Sequence, residues 1–74
     1  MKLSRGQFWI DSRRPSFAYR ITNVDYESLD CRSCICELWF QNGTDGTLNY
    51  VSGGYSVITY QNEFHYWRIL YDLT

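Results

Sequence analysis

Three cysteines, Cys31, Cys34 and Cys36, and a single histidine, His65, are the residues of this 74-residue chain best suited to bind a metal or attack a substrate. Cys31-x2-Cys34 has the two-residue gap of a zinc knuckle, in which a tight turn aims two thiolates at one tetrahedral ion. Cys36 and His65 would complete a four-ligand set of Cys31, Cys34, Cys36 and His65. Strong zinc signals present two paired knuckles, whereas here one lone histidine lies far downstream. The competing reading is mechanical: Cys34 and Cys36 are small packing residues on a strand, with Cys31 at its edge. The sequence favours packing, and no cofactor is expected. A reversible Cys31–Cys34 disulfide is weaker still, because no helix follows Cys31 to stabilise a thiolate at its N-terminus.

The remaining routes to catalysis are thin. His65 has no serine or cysteine partner at a recognisable spacing, and Glu63, two residues away, does not make a general base of it. Gly53-Gly54 lacks the lysine and the following helix of a phosphate loop. An enzyme is therefore not expected.

Arg13-Arg14-Pro15 is a better candidate. Two adjacent arginines beside aromatic residues could hold phosphate, carboxylate or an acidic protein surface. The competing reading is a solvated loop that keeps an aromatic-rich protein soluble. The chain carries 14 aromatic residues, 19% of its length, and each ring can bury about 150–250 Å². A domain this small cannot hide them all, and exposed rings mark contact surfaces. Tyr19, Tyr55, Tyr60 and Trp67 join Arg13 and Arg14 as the candidate partner-binding set. Each ring taken singly is more often core; the group inference is the firmer one.

These residues need a scaffold, and the length permits one domain, residues 1–74. A core this small supplies only about 3–5 kcal/mol net, so good packing is required. The net charge is −1 but unevenly spread. Residues 1–20 carry Lys2, Arg5, Arg13, Arg14 and Arg20 against Asp11, a net of +4; the rest carry Arg32 and Arg68 against seven carboxylates, a net of −5. Such segregation would give a basic edge and an acidic body. No run approaches the roughly 20 apolar residues that span a bilayer, and the first residues lack the apolar core of a signal peptide. A complete, cytoplasmic product with reduced thiols and no membrane contact is the expectation.

Alternation predicts strands at Gln7–Ile10, Phe17–Val24, Arg32–Gln41, Thr47–Val51, Tyr55–Ile58 and Tyr66–Tyr71. Phe17, Tyr19, Ile21 and Tyr26 would share one face, and Asp25 to Asp30 would be a connection. Cys34, Cys36, Leu38 and Phe40 would form the inner face of the central strand, opposite Ile35, Glu37, Trp39 and Gln41. Asn42-Gly43 turns that strand back into a hairpin, and Ser52-Gly53-Gly54 breaks the return. Thr59 would cap one helical turn before the last strand. The fold class is all-β: a small five- to six-stranded barrel with one short helical turn before its last strand.

A long central hairpin, a 3₁₀ turn before the final strand, and Gly6-Gln7-Phe8-Trp9 followed by an arginine-containing loop resemble the small SH3-like barrels of bacteria and their phages. The cysteine cluster from Cys31 to Cys36 departs from that pattern. The resemblance implies binding to proteins, peptides or nucleic acid. The leading expectation is a non-enzymatic module that docks on a protein partner, as a phage-encoded inhibitor or adaptor would. Nucleic-acid or nucleotide binding through the basic N-terminal segment is the alternative, a zinc-stapled fold the third, and a homodimer a further way to cover surplus rings.

Overall fold

The computed structural model describes residues 2–71. It is all-β, with five strands and one short helical turn: β1 Phe8–Asp11, β2 Phe17–Glu27, β3 Cys31–Gln41, β4 Leu48–Tyr60, a 3₁₀ turn Gln61–Tyr66, and β5 Trp67–Tyr71. All pairings are antiparallel, in the order β4-β3-β2-β1-β5. Strands β4 and β5 are the two edges and do not pair with each other among the described residues, so the described sheet is open.

The sheet curls, and its inner cluster shows why. Trp9 of β1, Ile21 of β2, and Cys34 and Cys36 of β3 bury together, and Val57 from one edge and Trp67 and Ile69 from the other pack against them. Residues of both edge strands thus pack against this one cluster. The N-terminal segment closes this face. Gly6 donates its N–H to the Ile21 carbonyl at 2.8 Å, which lays Leu3 into the cluster. Gln7 is buried, and its Oε1 accepts from the Trp9 indole at 3.0 Å and from the Ser4 N–H at 2.8 Å. Glu27 accepts the Leu3 N–H at 3.1 Å.

Strand β1 is buried on both faces, as its continuous run Phe-Trp-Ile allows. Phe8 and Ile10, with Ala18, form a second cluster against Trp39, Leu48 and Leu70. Phe8 meets Trp39 edge to face at 5.4 Å, and Trp39 meets Tyr50 at 5.6 Å. Ile10 and Ile21, one in each cluster, are among the most completely buried side chains, each contributing about 1.5–3 kcal/mol relative to exposure.

Several expectations change. The inner face of β3 holds for Cys34 and Cys36, but Phe40 is 40% exposed and Trp39 packs in the second cluster. Two clusters on opposite faces give both sides of the strand apolar work. Tyr26 leaves the face of Phe17 and Ile21, because β2 shifts register between Ile21 and Asn23 and again between Val24 and Tyr26. The connection from Asp25 shrinks to residues 28–30, as β2 runs on to Glu27. Ser52-Gly53-Gly54 bends β4 without ending it: Gly54 takes φ +78°, and Tyr50 Oη lies 3.1 Å from where a Gly53 Cβ would stand. Thr59 is a buried strand residue, and Tyr60 precedes the 3₁₀ turn without a side-chain cap.

Candidate functional site

The loop after β1 is built by Asp11. Its carbonyl accepts the Arg14 N–H at 2.9 Å, and its Oδ1 accepts the Arg13 N–H at 2.9 Å. A second turn follows, with Phe17 N–H on the Arg14 carbonyl at 3.2 Å. These turns send the two arginines to different fates. Arg13 folds back: Nε and Nη2 donate to the Asp11 carboxylate at 2.9 and 2.8 Å, and Nη1 donates to Glu63 Oε2 at 2.7 Å. Its guanidinium also stacks on Tyr66, 4.3 Å from the ring centroid. Burial pushes the Asp11 carboxyl up, but the hydrogen bonds from the Arg13 side chain and N–H outweigh it and hold the group below its usual range. The same two carboxylates push the Arg13 guanidinium further up, so its charge is permanent. Arg14 is exposed, and its side chain makes no hydrogen bond or ion pair among the described residues.

This loop borders a groove of about 450 Å³. Arg13 and Arg14 line it from the loop, Glu63 from the 3₁₀ turn, Tyr19 and Trp67 from the inner face of the sheet, and Ser56 to Thr59 from β4. Tyr19 and Trp67 meet edge to face, with centroids 5.3 Å apart. Four of the six candidate partner-binding residues, Arg13, Arg14, Tyr19 and Trp67, are thus brought together. Tyr55 and Tyr60 stand elsewhere on β4. Tyr55 accepts a hydrogen bond from Ser52 at 2.8 Å. Tyr60 is more than half exposed, as are Ile58 and Tyr26. The groove residues missed from sequence are Asp11, Glu63 and the β4 segment Ser56 to Thr59. Ser56 and Thr59 read as ordinary strand polar residues, and only the sheet order reveals that their strand is an edge.

The cysteines are separated by strand alternation. Cys34 and Cys36 point inward, with sulfurs 3.4 Å apart. Contact with Cys34, together with burial, pushes the Cys36 thiol above its usual range, so it stays neutral. Cys31, half-buried, lies at an odd position, which alternation places on the opposite face. His65 is exposed on the 3₁₀ turn and stacks on Tyr66, centroids 4.0 Å apart. Among the described residues, no three Cys, His, Asp or Glu side chains converge as a metal site would require.

The basic N-terminal segment is partly neutralised in space. Arg13 is held by two carboxylates, and Arg20 pairs with Glu37 at 3.3 Å. Arg32 lies 3.8 Å from Glu27 and stacks on Phe64 at 3.9 Å. No helix among the described residues is long and apolar enough to cross a membrane. No family model matches the chain, and no match is found among curated proteins or among solved structures.

Proposed function

We propose that this chain is a non-enzymatic docking module, an open SH3-like barrel that binds a protein partner through the groove beside the Arg13-Arg14 loop. The strand order, the long β3–β4 hairpin and the 3₁₀ turn before β5 support the SH3-like reading of the fold. One observation carries the function: an arginine whose side chain has no ion pair among the described residues, two packed rings and the edge strand β4 share one groove. Aromatic rings and arginine are the residue types that dominate protein hot spots. Arg13 braces the loop, and Arg14 makes the contact. The pairing of Arg13 and Arg20 with carboxylates speaks for a protein surface over a phosphate backbone, which rewards unpaired cations.

The test is a pull-down from a lysate of the source cells with the wild-type chain and with Arg14→Glu, compared by mass spectrometry. A protein retained by the first and lost from the second supports docking through the groove. An identical set of retained proteins would remove the groove from the account.

A further inference from the structure

We propose that the groove receives an extended segment of the partner as an added strand on the free edge of β4, with a carboxylate of that segment held by Arg14. This rests on the docking reading above and names the occupant. Ser56, Val57, Ile58 and Thr59 are consecutive, and a strand sends alternate side chains to opposite faces. Val57 packs on the inner cluster while Ile58 is exposed. Four such neighbours share one groove through the backbone edge they have in common. That edge is terminal in the sheet order, and β4 pairs with β3 alone among the described residues. An unpaired row of N–H and C=O groups is a template for a further extended chain.

Proteins usually guard such edges with charge, proline or bulges. Leu48–Tyr60 contains no charged residue and no proline. Its register shifts fall opposite Cys36 to Trp39, whereas pairing from Cys36↔Tyr55 to Cys31↔Tyr60 is unbroken. The stretch that lines the groove is therefore the regular, unguarded part of the edge.

Charge selects the occupant. Asp11 and Glu63 share the Arg13 guanidinium, and the Arg14 side chain acts on the Asp11 carboxylate only through space, so Arg14 is the cation without an ion pair among the described groove residues. An acidic side chain on the added strand would meet it. A second copy adding its own β4 would not, because that strand has no carboxylate to offer.

The experiment pans the full chain with a phage-displayed library of random dodecapeptides. A selected peptide is then titrated against the wild type and Arg14→Glu, with N-methyl groups placed on one alternate set of its amides or the other. Strand addition predicts enriched peptides that alternate β-branched or aromatic residues and carry Asp or Glu. It predicts about a tenfold loss on methylating the edge-facing amides, little loss for the other set, and about a tenfold loss with Arg14→Glu. Equal tolerance of both methylation patterns, enrichment of proline-rich peptides, or no enrichment overturns strand addition. If Arg14→Glu still abolishes binding while methylation has no effect, docking at the groove stands and the added strand falls. If neither matters, both fall. A β4-mediated dimer in light scattering, dissolved by Ile58→Lys and unmoved by the peptide, would assign the edge to a second copy and also overturn the proposal.

Discussion

Arg13 Nη1 reaches Glu63 Oε2 at 2.7 Å, joining two residues fifty positions apart and fixing the loop after β1 to the 3₁₀ turn before β5. The adjacent arginines therefore separate into a brace and a contact. Arg13→Glu would set a third carboxylate beside Asp11 and Glu63, and the midpoint of thermal unfolding should fall. Arg14→Glu should leave stability within about 0.5 kcal/mol, as surface changes away from such features do. Circular dichroism melts of the two single variants check this. Equal melting of both would remove the distinction.

The brace has a pH signature. Asp11 is held below the usual carboxylate value of about 3.9. A depressed folded value stabilises the protein above the unfolded value, and that contribution is lost as pH falls through the folded one. Stability should therefore drop below about pH 4. Asp11→Asn should lower stability at neutral pH and flatten this acid limb, as urea titrations between pH 7 and pH 2 would show. An unchanged acid limb in the variant would place the effect on other carboxylates.

The two clusters on opposite faces of β1 should be comparably costly to damage. Ile10→Ala and Ile21→Ala should each lose about 2–5 kcal/mol, the range for large-to-small core changes. Tyr60→Ala, at an exposed site, should cost within about 0.5 kcal/mol. A mild effect of Ile10→Ala in urea melts would show that the second cluster is peripheral.

Strand alternation divides the cysteines, and their reactivity should follow. Cys31 should react first with iodoacetamide in the native protein, with Cys34 and Cys36 protected until unfolding. Added zinc should leave the melting temperature unchanged, because a ligand that binds only the folded state would raise it. Uniform alkylation, or a zinc-dependent rise, would contradict the packing role.

The all-β class, the β3–β4 hairpin and the short turn before the last strand were legible because alternation and turn residues are local signals, although the hairpin turns over residues 42–47 with its positive φ at Gly46, not at Asn42-Gly43. What escaped was long-range. Alternation sends Phe8 and Trp9 to opposite faces, but nothing local shows that both faces are covered by a cluster, or that Gln7 is buried to hold the Trp9 indole. Gly53-Gly54 reads as a break, yet β3 pairs on both sides of it and carries the strand through as a bend. At the site, Arg13 and Arg14 look equivalent in sequence, and the turn that gives Arg13 to Asp11, together with the folded position of Glu63, divides them. The free edge of β4 is a property of sheet order, which no single strand encodes.

Partner binding measured for the wild type, Arg14→Glu and Tyr26→Glu tests the central claim most directly. Tyr26 lies on the opposite face, exposed and outside the groove. Docking through the groove predicts that Arg14→Glu loses the partner while Tyr26→Glu keeps it. Retention by Arg14→Glu together with loss by Tyr26→Glu would place the binding surface on the other side of the sheet.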